Sequence, residues 1–166
     1  MSNSISYQAR ADLPSVEMNN GLTSVVVSVL SLAASSLAAT DRQRLFAVWF
    51  ASRDQGVFGS GMVGFDLSEL PWSEADFGAE KAFVLRVIAA AQARTGWERL
   101  DYRPHEEWVM QSLEGLRVLV QAFEPAHRCP DPDRVWPFAP PPSTFERCPL
   151  HGVYQPIYGC PICNDQ

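Results

Sequence analysis

The chain has 166 residues, 46% of them apolar, with five Trp, nine Phe and a formal net charge of −6. This is enough apolar material for one packed domain and a small appendage, which excludes global disorder. The acidic balance, 13 Lys and Arg against 19 Asp and Glu, opposes a phosphate backbone, so direct nucleic-acid binding is not expected.

Residues 1–21 hold Pro14, Asn19, Asn20 and Gly21 with little apolar content, and read as a loose N-terminal arm. No secretory signal is expected there, because Arg10 is the one base before the first apolar run and Asp12 and Glu17 oppose it. The four cysteines are therefore read as reduced thiols in a cytoplasmic protein, some of them holding metal, rather than as a disulfide scaffold.

Leu22 to Ala39 is a stretch of eighteen uncharged residues, near the lower length for a membrane span. Its pattern fits a soluble helix better. Leu22, Val25, Val26, Val29, Leu30, Ala33 and Leu37 share one face, and Ser24, Ser28, Ser31 and Ser35 form a stripe on another. No membrane partner is expected. Thr40-Asp41-Arg42-Gln43 has the residue types of a capping box and opens a second helix, running to about Asp54. Residues 45–51 are also a short continuous apolar run, so a strand is the rival there.

Gly59-Ser-Gly61-Met-Val-Gly64 matches the letters of a dinucleotide-binding fingerprint, but Phe65-Asp66-Leu67 and Pro71 follow where a helix is required. It reads as a glycine-rich loop, followed by an extended segment from Phe65 to Trp72. Ser73-Glu74-Ala75-Asp76 resembles another helix start. That helix carries Val84, Val87, Ile88 and Ala91 on its apolar face and runs to about Thr95, with Gly96 suited to its C′ position. Pro104 fits a first helical residue, with Glu106 and Glu107 suiting the dipole. Val109, Leu113, Leu116, Val120 and Phe123 then repeat at helical spacing. Seven of the thirteen prolines fall between Pro125 and Pro142, and Trp136 and Phe138 lie among them. Such a segment makes neither helix nor central strand and reads as an extended strap. The expected organisation is an arm (1–21), a helical domain (22–123), a strap (124–146) and a tail (147–166). The expected fold is all-α, a small bundle of about four helices.

The tail carries the most specific pattern. Cys148-Pro-Leu-His151-Gly152 is echoed by Cys160-Pro-Ile-Cys163-Asn164. Two ligands separated by two residues sit on one tight turn, and Gly or Asn after the second ligand suits a left-handed backbone. Two such turns give four donors, and thiolate with imidazole favours zinc over calcium or magnesium. Over about sixteen residues the tail resembles the zinc knuckles of rubredoxin-like and zinc-ribbon proteins, where Cys-Pro-x-Cys-Gly recurs. It departs from them in placing His151 where one Cys stands, which makes an iron site of four thiolates less suitable. The expected site is one structural Zn2+ ion on Cys148, His151, Cys160 and Cys163, with Cys129 as the rival to His151.

His105-Glu106-Glu107 followed by Cys160-Pro-Ile-Cys163 also resembles the signature of zinc deaminases. That resemblance implies zinc on His105, Cys160 and Cys163 with Glu107 shuttling the proton. It departs in having Gly159 before Cys160, and it leaves Cys148 and His151 without a role. The tail has one base, Arg147, so it lacks the Lys and Arg clusters of nucleic-acid-binding ribbons. Tyr154, Ile157 and Tyr158 between the knuckles suit docking, onto the protein's own helices or onto a partner. The sequence therefore points to a non-enzymatic protein-interaction or regulatory module with another protein as partner. The alternatives are a zinc-dependent hydrolase or deaminase using His105 and Glu107, and an adaptor in a nucleic-acid-associated complex.

Overall fold

The computed structural model describes residues 3–53, 64–136, 139–157 and 159–164. Four long helices dominate them: α1 (Asn20–Leu37), α2 (Asp41–Ala51), α3 (Phe77–Gln92) and α4 (Glu106–Ala122). Short helices α5 (Pro132–Val135) and α6 (Pro161–Asn164) follow. The fold is mostly helical, as the periodicities require.

α1 is the centre. It packs against α2, α3 and α4, and α3 packs against α4. Thr23, Ser24 and every residue from Val26 to Ser35 are buried, so the serine stripe faces protein rather than water. Ser31 meets this by donating its hydroxyl to the Val27 carbonyl at 2.7 Å. α1 is long and apolar enough to cross a membrane by length and composition, yet 61% of it is buried within the fold.

The run at residues 45–51 is helix. Thr40 caps α2, accepting from the Gln43 N–H at 3.2 Å, while the Gln43 side chain reaches back to the Ala39 N–H at 2.8 Å rather than to Thr40 itself. Phe46 to Ala51 are all buried, which accounts for apolar residues on more than one face of this helix. Trp49 meets Phe50 and Phe65 edge-on, and Phe46 meets Trp72 and Phe83 in the same way.

Residues 3–18 are not a loose arm. Strands β1 (Asn3–Ser6) and β2 (Val16–Met18) pair antiparallel, with Ile5 opposite Val16. β1 also pairs in parallel with β3 (Phe65–Asp66), giving the order β2-β1-β3. Short β1 alternates buried Asn3 and Ile5 with half-buried Ser4 and Ser6, too brief a pattern to stand out in the sequence. Tyr7 is buried beside Phe123, its hydroxyl 2.5 Å from His127 Nδ1. Of the fingerprint-like glycines, Gly64 alone lies within the described residues. A Cβ there would stand 2.3 Å from the Ser4 carbonyl oxygen, so this glycine serves a close backbone approach beside β1.

The segment after β3 is not fully extended. Leu67–Glu69 form a 3₁₀ turn with a complete capping box from Asp66 and Glu69. α3 starts at Phe77, later than Ser73 implies. Ser73 instead donates its N–H and hydroxyl to buried Glu80 at 2.7 and 2.9 Å, and Arg42 holds the other carboxylate oxygen at 2.6 Å. α3 ends at Gln92, and Arg94 and Gly96 both take positive φ. Gly96 is needed there because a Cβ would stand 3.0 Å from Leu32. Pro104 lies before α4, whose N-cap is His105. The strap is not wholly extended: it holds α5 and 3₁₀ turns at Pro125–His127 and Pro142–Thr144, where proline's fixed φ suits a first turn. It follows the body, with Trp136 and Phe145 packed on the main core and Arg128 paired to Glu74 at 3.4 Å. Phe138 lies outside the described residues.

The burial of Ile5, 1% exposed, makes the N-terminal strand part of the core. Ile5→Ala is expected to lower unfolding free energy by about 2–4 kcal/mol in urea denaturation. A loss below about 0.5 kcal/mol is what a loose arm would give.

Candidate metal centre

Two turns build the site. β4 (Glu146–Arg147) leads into Cys148, whose N–H donates to the Val153 carbonyl at 2.8 Å, and Gly152 N–H donates to the Cys148 carbonyl at 2.8 Å. Gly152 takes φ +71, as the turn chemistry requires. β5 (Tyr154–Gln155) then returns antiparallel to β4. Gly159, at φ +95, turns the chain into Cys160 and α6. Asn164 does not take the left-handed region expected of it. It closes α6, its N–H donating to the Cys160 carbonyl at 3.1 Å, so glycine before Cys160 supplies the second special turn.

The ligand atoms of Cys148, His151, Cys160 and Cys163 all lie within 4.8 Å of one another. His151 Nδ1 is 3.6 Å from Cys148 Sγ, 3.6 Å from Cys160 Sγ and 3.3 Å from Cys163 Sγ, and Cys148 and Cys163 sulfurs are 3.6 Å apart. A tetrahedral ion with S and N bonds of about 2.3 and 2.05 Å implies edges of about 3.8 Å between sulfurs and about 3.6 Å from sulfur to nitrogen. The four side chains thus fit a metal ion. Cys129 is outside the cluster, its thiol 3.2 Å from the Asp131 carbonyl, so the fourth donor grouped with the other three cysteines is His151.

The electrostatics have the same sense. Burial opposes ionisation of Cys148, but the backbone N–H groups of His151 and Leu150, with the His151 and Cys163 side chains, bring its thiol down to about 7. Burial pushes Cys160 up to about 12, with the charge of Cys148 adding to it against the N–H groups of Cys163 and Ile162. Burial and Cys148 likewise push Cys163 up. Three sulfurs this close cannot all carry charge without a cation among them.

The site rests on the helical body. Cys148, Val153, Cys160 and Ile162 form one buried cluster with Leu32 of α1 and Ala51 of α2. Ser35 accepts the Tyr154 N–H on its hydroxyl at 2.9 Å and an Arg147 N–H on its carbonyl at 3.2 Å. Behind the cluster, His151 Nε2 stands 3.0 Å from Asp101 Oδ2, and Arg99 donates to the His151 carbonyl at 3.2 Å. Asp101 and Arg99 carry no local pattern that marks them in the sequence, and the stripe that holds Ser35 does not set it apart from Ser24, Ser28 and Ser31.

Of the candidate contact residues, Tyr154 is turned inward at 9% exposure, with Arg44 and Arg147 reaching its hydroxyl at 3.3 and 3.2 Å. Burial works against its phenolate, but the two guanidinium groups hold the phenol below its ordinary value. Ile157 is 66% exposed, and Tyr158 lies outside the described residues. His105 and Glu107 are exposed at the start of α4, and His105 stacks on Trp108 at 4.1 Å instead of joining the sulfur cluster.

In comparisons with known proteins, the chain matches no family model, and neither a curated protein nor a solved structure shows significant similarity to it.

With zinc as the probe metal, elemental analysis is expected to give one ion per chain. Cys148→Ser, Cys160→Ser and Cys163→Ser should each reduce that content, and Cys129→Ser should not. Chelation should release the tail with most helical circular dichroism retained. Collapse of the whole helical signal would mean that the body depends on the ion.

Proposed function

We propose that this chain is a non-enzymatic protein-interaction or regulatory module whose tail is fastened by one structural zinc ion. The observation that carries the reading is the closed donor set. Three sulfurs and one imidazole nitrogen, all from the chain, provide the four ligands of a tetrahedral ion. Such a site has no position left for water or substrate, which separates it from catalytic zinc sites with three protein ligands. The soft donors favour zinc over oxygen-seeking cations, and the imidazole in place of a fourth thiolate disfavours a rubredoxin-type iron. Thiolate ligands require reducing conditions, which suits a cytoplasmic location.

The rival hydrolase or deaminase reading gains nothing from the placement of His105 and Glu107, apart from the donor cluster. An interaction role is supported by the tail's outer side. Leu150, at 76% exposure, and Ile157 present apolar side chains on two segments of a metal-fastened tail. A partner protein is the fitting occupant, since the tail lacks the basic clusters that nucleic acid requires.

Cobalt(II) substitution tests the closed site. The spectrum should be that of a tetrahedral thiolate-rich ion and should not change on adding azide. A shift with azide would reveal an open coordination position and overturn the structural assignment. For the interaction role, the double variant Leu150→Asp, Ile157→Asp should lose a protein that co-purifies from the native host, while zinc content and helicity stay unchanged. Undiminished co-purification would remove the tail as the contact surface.

A further inference from the structure

His151 presents two nitrogens to two different environments. Nδ1 faces the three sulfurs, and Nε2 faces Asp101 Oδ2 at 3.0 Å. With a metal on Nδ1, the ring's one proton sits on Nε2, so Nε2 donates and the carboxylate accepts. The imidazole is buried, its side chain 4% exposed, while the Asp101 side chain is 43% exposed. The carboxylate therefore keeps access to water while facing a ring that is almost wholly enclosed. A hydrogen bond of this kind fixes which nitrogen is free for the metal, fixes the ring plane and raises the ligand's basicity.

The same loop holds His151 in two further ways. Arg99 donates to the His151 carbonyl, and its guanidinium occupies the space that a Cβ on Gly152 would need, 2.2 Å away. Leu100 packs against the cluster of Leu32, Ala51, Cys148, Val153, Cys160 and Ile162. Three consecutive residues between α3 and α4 thus touch the histidine's backbone, the surrounding apolar contact and the imidazole ring.

We infer that Asp101 is a positioning residue for the metal centre, and that through it metal loading orders the loop at residues 97–101 together with the tail. This rests on the zinc reading above. The residue contacts no metal itself; it acts on the ion through His151. The ion then ties two distant parts of the chain, because Asp101 lies fifty residues before His151.

The test is zinc affinity by competition with a chromophoric chelator, on the full chain in reductant. Asp101→Ala is expected to weaken zinc about 10- to 100-fold, the range typical for loss of an outer partner of a metal-bound histidine. Asp101→Asn should fall between Asp101→Ala and the parent, because its amide oxygen still accepts from Nε2 but carries no charge. Two readouts separate positioning from general destabilisation. On zinc loading, the Nε2 proton of His151 should become observable by NMR in the parent and not in Asp101→Ala. Amide exchange at residues 97–101 should slow on loading in the parent and much less in Asp101→Ala. Parental affinity in Asp101→Ala, with Cys160→Ser failing to bind in the same assay, would overturn the inference and leave the zinc reading standing. Parental affinity in both variants would overturn the zinc reading itself.

Discussion

The constraint on which this structure depends is the burial of α1. A helix with no charged residue from Asn20 to Leu37 has to be covered on nearly every side, because each exposed apolar side chain forgoes about 1.5–3 kcal/mol of burial. α2, α3 and α4 cover most of it. The last stretch, around Leu32 and Ser35, is covered by the tail. The small side chains there have a purpose. A serine at position 35 allows the β5 backbone to approach closely enough for its hydroxyl to accept the Tyr154 N–H, which a larger residue would block.

The tail needs this arrangement as much as α1 does. Cys148 to Cys163 contribute Val153 and Ile162 as buried aliphatic residues, too few to repay the ordering of the segment at about 1–2 kcal/mol per residue of backbone entropy. Two devices reduce the deficit: docking onto Leu32 and Ala51, and a ligand cluster spaced for an ion. The devices reinforce each other. The Cys160 thiol is buried by the docking that raises its pKa, and that same burial strengthens its attraction to a cation.

What was legible in the sequence was what a short window contains. Cys148-Pro-Leu-His151 and Cys160-Pro-Ile-Cys163 are each one turn, so the grouping of their donors follows from spacing, although the second turn takes its left-handed residue at Gly159 rather than Asn164. The helix at Val109 to Phe123 is legible because its apolar residues recur every three or four positions, and the start of α2 because Thr40 and Gln43 act locally. Interactions between distant residues were not legible. β1 is four residues long, and it becomes a strand only because Val16 and Phe65 stand on either side of Ile5. Ser73 has the residue type of a helix cap but serves Glu80, so the helix begins later. Asp101 looks like any loop aspartate until the fold brings it to His151. The inward turn of Tyr154 depends likewise on Arg44, 110 residues earlier.

The charges around the tail are largely met within the fold. Three thiolates on a divalent ion would leave one net negative charge, and Asp101 stands on the far side of the imidazole. Arg99 stands at the His151 carbonyl, and Arg147 and Arg44 stand at the Tyr154 hydroxyl. These guanidinium groups offset the negative charge, yet each is already committed to a carbonyl or a phenol within the fold. A catalytic site instead aims a fixed polarising group at the place where charge develops on a substrate. Here the positive groups are directed at the chain's own atoms, and the sulfurs face one another across the space of a single ion. The polar contacts of the tail thus act between parts of the protein, drawing residues 99–101, α1 and the two knuckles together.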